Sequence, residues 1–127
     1  MQTQEQIFDQ SATLAHVEGD WELLAELVEL SISESGNLLD EIRQSIAGAD
    51  CSGLQRSAHA LKGAAGNFGA TQVIDLARRL EEMGKTSRLD RASELCSSLE
   101  QVTQRLNEAL SAMIGNQVET TDEMEGR

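Results

Sequence analysis

The sequence predicts an all-α fold, an antiparallel four-helix bundle preceded by a short N-terminal helix. Its 127 residues contain no proline, one Trp, two Phe and no Tyr, whereas sheets favour aromatic and β-branched residues, and proline is common in turns. Apolar residues recur every three or four positions along most of the chain, which is the spacing of amphipathic helices. Four such segments with short connections predict an antiparallel bundle, and the length suits one domain.

The first long helix is predicted from Trp21 to Ala47. Asp20 is placed to cap its N-terminus, because an aspartate side chain can accept a hydrogen bond from the first free backbone N–H groups. The stretch 33–37 collects poor helix formers and is the weak point of this helix. Upstream, scattered apolar residues between Ile7 and Val17 predict a short helix that covers one end of the bundle.

The next two helices are separated by a glycine. Asp50 is placed to cap the first of them, whose apolar stripe ends near Phe68, and Gly69 closes that segment. Residues 70–83 then carry apolar side chains at helical spacing. Gly84 follows them directly and is predicted to be the C-terminal cap of this helix.

The last helix has the most regular apolar period, from Ala92 to Met113, and is predicted to end at Gly115. The domain is therefore expected to cover residues 7–114. Residues 1–6 and the acidic, polar stretch 115–127 have no apolar period and are predicted to be disordered.

The charge balance excludes two classes of partner. Ten basic residues against 22 acidic ones give a formal net charge of −12, which disfavours broad contact with nucleic-acid phosphates or with an acidic membrane surface. No stretch is long and apolar enough to span a membrane, and the N-terminus lacks a secretory signal. A cytoplasmic protein is expected.

The cysteines and histidines predict no metal site. Cys51, Cys96, His16 and His59 are the four soft ligands of the chain, and they show no zinc-binding spacing. Both cysteines lie in helical patterns and are interpreted as small apolar residues in a reducing compartment. His16 lies in an unremarkable turn.

The residues best suited to chemistry lie in the third helix. Its apolar stripe leaves His59 on the exposed side, with Arg56 one turn earlier and Lys62 one turn later. These cations would stabilise a phosphoryl group on the imidazole, which adds about −1.5 to −2 charges at neutral pH. The alternative is that His59 is only a tolerated polar residue on a helix surface.

Two glycines accompany His59 on this helix. Gly63 and Gly66 each cost about 1 kcal/mol relative to alanine inside a helix. Their missing side chains would leave a flat surface beside His59 where another protein's active site can approach. The alternative is close packing between helices through small residues.

This segment closely resembles the signature of histidine-containing phosphotransfer (HPt) domains. Members are four-helix bundles whose histidine carries a phosphoryl group between the receiver aspartates of multistep phosphorelays. The resemblance implies that His59 is phosphorylated, that Lys62 binds the phosphoryl oxygens, and that Gly63 admits the receiver's active site. It spans about residues 7–114, through Phe8-Asp9, Gly19-Asp20, Ala58-His59-Ala60-Leu61-Lys62-Gly63, Gly69-Ala70 and Leu80-Glu81-Glu82.

The family often has a Gln or Glu on the next helix that hydrogen-bonds the other imidazole nitrogen. Glu81 occupies the matching position, and a carboxylate at Nδ1 would fix the tautomer and raise the nucleophilicity of Nε2. The alternative is a solvated Glu81 paired with Arg78 or Lys85 at helical spacing.

The resemblance also implies the partners, namely response-regulator receiver domains and a hybrid sensor histidine kinase. The chain shows no nucleotide-binding motif, so a monomeric phosphocarrier without its own kinase activity or cofactor is expected, with Mg²⁺ on the receiver. Gln55, Arg56, Arg78 and Gly66 are expected on the docking face. The alternatives are a phosphoacceptor charged directly by the ATP-binding domain of a histidine kinase, and a non-catalytic helical adaptor.

Overall fold

The computed structural model describes residues 7–125, with side chains described up to residue 116. Five helices follow one another, and no strand occurs within this range: α1 (Gln10–His16), α2 (Trp21–Ala47), α3 (Cys51–Gly66), α4 (Thr71–Thr86) and α5 (Ala92–Glu125). The all-helical prediction is confirmed. None of the helices in the described range is long and apolar enough to cross a membrane.

The four longer helices pack around one core. Helix α3 lies against α2 and α4, and α5 lies against the same two helices. Burial of each large apolar side chain stabilises this arrangement by about 1.5–3 kcal/mol. The largest apolar side chains that are fully buried come from all four helices: Leu24, Ile42, Leu54, Leu61, Val73, Leu80, Leu99 and Leu110.

Helices α2 and α3 each begin with an aspartate cap. The Asp20 carboxylate accepts a hydrogen bond from the backbone N–H of Leu23, and Asp50 accepts one from Gly53. Helix α2 has the bounds that the sequence predicts and remains helical through residues 33–37. Replacing such a cap by alanine typically costs about 1 kcal/mol.

The short helix α1 is tied to the turn after α3. Asp9 caps α1 through Ala12, while its own backbone N–H donates to the carbonyl oxygen of Phe68 at 2.9 Å. The buried Thr13 hydroxyl donates to the same carbonyl at 3.3 Å. The N-terminal segment therefore closes the end of the structure where α3 turns into α4.

One predicted helix end is wrong at Gly84. Helix α4 continues to Thr86, and its cap is Ser87, which has a left-handed backbone with φ of 58°. Gly84 lies inside the helix and is buried. A glycine inside a helix is unfavourable but does not force an end, and at this position the glycine is used for packing.

The second wrong boundary is at Gly115. Helix α5 continues to Glu125, so residues 116–125 are helical where the sequence predicts a disordered tail. Once a helix is formed, each added residue gains a hydrogen bond at little further cost, and this stretch contains no proline to stop it. Residues 1–6 and 126–127, also predicted to be disordered, lie outside the described residues.

Candidate functional site

A single carboxylate joins α3 and α4 at the centre of the candidate site. Oε2 of Glu81, on α4, lies 2.8 Å from Nδ1 of His59, and its Oε1 lies 2.8 Å from Nζ of Lys62. The imidazole side chain is 67% exposed, whereas the Glu81 side chain is only 10% exposed. The imidazole of His59 is thus exposed to solvent, while its Nδ1 contacts a buried carboxylate.

The charges around Glu81 determine its protonation state. The hydrogen bond from Lys62 lowers the pKa of the Glu81 carboxyl, the hydrogen bond from His59 lowers it further, and burial opposes both. An ionised carboxylate can only accept hydrogen bonds, so Nδ1 of His59 carries the proton. In the neutral imidazole the lone pair is then on Nε2, which has no hydrogen-bond partner among the described residues.

The surroundings of Glu81 exclude one of the two interpretations of this residue. It is buried and bridges two side chains of α3. Among the described residues its ion pairs are to His59 and Lys62, whereas Arg78 binds Asp75 within α4. The alternative of a solvated Glu81 paired with Arg78 or Lys85 is therefore wrong.

Both glycines beside His59 face open space. A Cβ atom added at Gly63 or at Gly66 would meet no other group within 4 Å. Close packing between helices therefore does not explain either residue. Their effect is instead to leave a low surface on α3, that is, one without protruding side chains, one turn and two turns after the imidazole.

The predicted docking residues lie around this surface. Gln55 and Arg56 are on α3, one turn before His59, where Gln55 is half-buried and Arg56 is exposed. Arg78 is exposed on α4, and its guanidinium binds the carboxylate of Asp75. The structure thus brings Arg56 and Lys62 to either side of the imidazole, while Arg78 is neutralised within its own helix.

Gly84, which lies one turn after Glu81 on α4, packs against α3 and does not end the helix as its residue type predicts. A Cβ atom at this position would lie 2.7 Å from the carbonyl oxygen of Cys51 on α3. The available signal was its register, because Gly84 follows Val73, Ala77 and Leu80 at steps of three or four residues and so continues the buried stripe of α4. Such a glycine can mark close helix contact as well as a helix end.

The other histidine and the two cysteines lie apart from His59 and Glu81 in the sequence. Within the described part of the chain, no three His, Cys, Asp or Glu residues are grouped so that they could hold a metal ion. Cys51 and Cys96 are free thiols. Burial, with a smaller contribution from Glu100, raises the pKa of the Cys96 thiol to about 11, so that it stays protonated and unreactive at neutral pH.

Comparison with known families identifies the chain. The family model for the Hpt domain matches residues 26–123 of its 127 residues. The chain belongs to the Hpt domain family. Hpt domains are phosphocarriers that interact with receiver domains and histidine kinases in two-component systems. The function of this Hpt domain is accordingly histidine phosphotransfer within a phosphorelay.

The fold is shared with a solved structure. The crystal structure of histidine-containing phosphotransfer protein B (HptB) from Pseudomonas aeruginosa PAO1 superposes with a TM-score of 0.83 at 20% sequence identity. The similarity covers 88% of this chain and 97% of the HptB chain. No curated protein sequence matches this Hpt domain.

Proposed function

We propose that His59 is the residue of this Hpt domain that carries the phosphoryl group. The observation that carries the proposal is the 2.8 Å contact between its Nδ1 and the buried carboxylate of Glu81, on a side chain that is 67% exposed. A nucleophile needs both a free lone pair and access to its substrate. His16, the other histidine, is exposed but has no carboxylate partner among the described residues.

In the proposed transfer, Nε2 of His59 attacks the phosphorus of an aspartyl phosphate on a receiver domain. The new P–N bond forms as the P–O bond to the aspartate breaks, and the aspartate leaves with the electron pair as a carboxylate. The Nδ1 proton stays in its hydrogen bond to Glu81, whose negative charge stabilises the positive charge that develops on the ring. The reverse sequence passes the group to a second receiver.

Lys62 has two successive partners in this proposal. Before transfer its ammonium is held by Oε1 of Glu81 at 2.8 Å. The transferred group brings about −1.5 to −2 charges at neutral pH. Because Lys62 lies one turn after His59 on the same face, its flexible side chain can turn to the phosphoryl oxygens and neutralise part of that charge.

We infer that the receiver docks over the low surface of α3. The open space above Gly63 and Gly66 supports this location, and Gln55, Arg56 and Arg78 would lie around the contact. The scaffold for it would be an antiparallel four-helix bundle made of α2 to α5, which the pattern of helix contacts supports. A hybrid sensor histidine kinase would supply the first receiver.

The proposal assigns the metal chemistry to the partner. The receiver's Mg²⁺ and acidic pocket would stabilise the charge on the phosphoryl group in flight, so this domain would need no cofactor and would have no ATP-dependent kinase activity. We further infer a cytoplasmic monomer. Its net charge of −12 argues against binding to nucleic acid or to an acidic membrane.

Radiolabel transfer tests the role of His59. A panel of purified receiver domains, charged with labelled acetyl phosphate, is mixed with the wild-type domain, with His59→Gln and with His16→Gln. We expect acid-labile, alkali-stable label on the wild type and on His16→Gln, and none on His59→Gln. Undiminished label on His59→Gln would overturn the proposal. Charging of the wild type by a kinase's ATP-binding domain, but by no receiver, would instead favour the direct-kinase alternative.

A further inference from the structure

Gly84 lies where helix α4 approaches the backbone of α3. A Cβ atom there would lie 2.7 Å from the carbonyl oxygen of Cys51 and 2.8 Å from the backbone nitrogen of Gln55. Both are main-chain atoms, so no rotation of a side chain can relieve the contact. Gly84 lies within α4 and lacks a positive φ. The glycine is therefore required by the close approach of the two helices and not by a turn of the backbone.

Among the described helical glycines, contact with the backbone of another helix distinguishes Gly84, since an added Cβ at Gly53 would meet side chains. A Cβ atom at Gly36, Gly63 or Gly66 would meet nothing within 4 Å. Alanine is the more favourable residue inside a helix, and at Gly36 it would meet no obstacle. At Gly84 the same replacement must move one helix away from the other.

Between α3 and α4, the glycine contact lies one helical turn away from the contact of His59 with Glu81. Gln55 precedes His59 by one turn on α3, and Gly84 follows Glu81 by one turn on α4. The Nδ1 to Oε2 distance is 2.8 Å, and such a hydrogen bond is largely lost beyond about 3.5 Å. The Glu81 side chain is buried, which limits how far it can follow an imidazole that moves away with α3.

We propose that Gly84 is a positioning residue for phosphotransfer. By letting α4 approach α3, it places the carboxylate of Glu81 at Nδ1 of His59, which keeps the proton on Nδ1 and the lone pair on Nε2. The part of this proposal that concerns transfer rests on the proposed function of His59. Alanine at position 84 would separate the helices and leave the carboxylate short of the imidazole.

The test compares Gly84→Ala with two controls. Gly36→Ala makes the same change at an open helical position, and Ile42→Val weakens the core on α2 without adding an atom between α3 and α4. Long-range proton–nitrogen correlation spectra, recorded in alkaline buffer on a His16→Gln background where His59 is the remaining histidine, report which ring nitrogen carries the proton. Acceptance rates from a charged receiver and urea unfolding are measured on the same proteins.

We expect Gly84→Ala to move the proton from Nδ1 towards Nε2 and to slow acceptance by about tenfold to a hundredfold, since small displacements of reacting groups cost that much. Both controls should keep the wild-type tautomer and rate. A folded Gly84→Ala protein with the wild-type tautomer overturns the proposal, and so does the same tautomer change in Ile42→Val.

Two further outcomes are also decisive. If Gly84→Ala remains unfolded even with the Gly36→Ala change and sucrose present, Gly84 is required for folding and the positioning proposal is wrong. If the wild type accepts no label from any receiver, the proposed function of His59 fails, while the tautomer comparison still decides whether Gly84 positions Glu81.

Discussion

The interface between α3 and α4 uses its polar groups differently from the interface between α2 and α5. In the first, one buried carboxylate has a partner on each oxygen. In the second, the exposed Arg43 binds Glu100, and Asn107 donates to the Ser35 hydroxyl across 3.5 Å. Thr103 lies on the same stripe of α5, three residues after Glu100 and four before Asn107, and its buried hydroxyl has no hydrogen-bond partner in the described part of the chain.

We infer from this difference that the α3–α4 interface serves phosphotransfer and that the α2–α5 interface serves stability. Burying an ionised carboxylate is costly unless its oxygens are paired, and before transfer each oxygen of Glu81 has a partner on α3. Between α2 and α5 the apolar side chains supply the stability, and the polar pairs are exposed or long. Polar substitutions at the α3–α4 interface should therefore change the rate of transfer, whereas those at the α2–α5 interface should change it little.

Removing the Glu81 carboxylate should produce the largest change. Glu81→Ala leaves Nδ1 of His59 without an acceptor and Lys62 without its counter-charge. We expect the rate of phosphoryl acceptance to fall about 10- to 100-fold, as it does when partners that orient a histidine are removed. Rapid-quench transfer from a charged receiver measures the rate.

The matched control removes a carboxylate from the other interface. Glu100→Ala breaks the pair with Arg43 and should leave the transfer rate unchanged. Glu81→Gln keeps an oxygen acceptor for Nδ1, so it should retain more of the rate than Glu81→Ala. Equal rates for Glu81→Ala and Glu100→Ala would show that the two interfaces do not differ in function.

Much of the fold follows from local signals in the sequence. Asp20 and Asp50 act within one turn of their own helices, and the apolar periods identify the buried faces without knowledge of the partner helix. His59 and Lys62 are likewise one turn apart, so their proximity follows from helix geometry alone. These features could be predicted because each depends on neighbours in the sequence.

The features that local signals leave open depend on contacts between helices, although the family resemblance does imply the contact of Glu81 with His59. Whether Glu81 meets solvent or His59, and whether Gly84 ends α4 or packs against Cys51, depends on how α4 is rotated against α3. The end of α5 was missed for a different reason. Gly115 is a weak stop signal, and helix continuation to Glu125 costs little once the helix exists.

Acid should weaken the α3–α4 interface through Glu81. Lys62 first, and then His59, hold the pKa of this carboxyl below its ordinary value of 4.5, so the folded chain binds this proton less readily than the unfolded chain. The stabilisation is present above the ordinary pKa and is lost as the pH falls through the lowered pKa of the folded state. The Glu81→Gln protein lacks this contribution.

Urea unfolding between about pH 5 and about pH 2 measures the effect. The free energy of unfolding of the wild type should fall more steeply towards acid than that of Glu81→Gln. Glu100→Gln serves as the control for loss of one acidic group, and it should follow the wild type. Parallel curves for the wild type and Glu81→Gln would mean that the paired carboxylate contributes no pH-dependent stability.

The smallest effect is expected at the α2–α5 interface, from Thr103→Val. The Thr103 side chain is 2% exposed, and its hydroxyl has no partner within the described residues. Valine has nearly the same shape and removes a buried polar group that gains nothing in the folded state. We expect the free energy of unfolding to stay the same or rise by up to about 1 kcal/mol, with an unchanged transfer rate.

Ser35→Ala provides the opposite case on the facing helix. The Ser35 hydroxyl donates to the carbonyl oxygen of Ile32 at 3.1 Å and accepts from Asn107, so its removal should lower the free energy of unfolding by about 1 kcal/mol. Urea titration of both variants measures the difference. A loss of stability in Thr103→Val as large as that in Ser35→Ala would show that the Thr103 hydroxyl is paired in solution, and that this interface relies on polar contacts as the α3–α4 interface does.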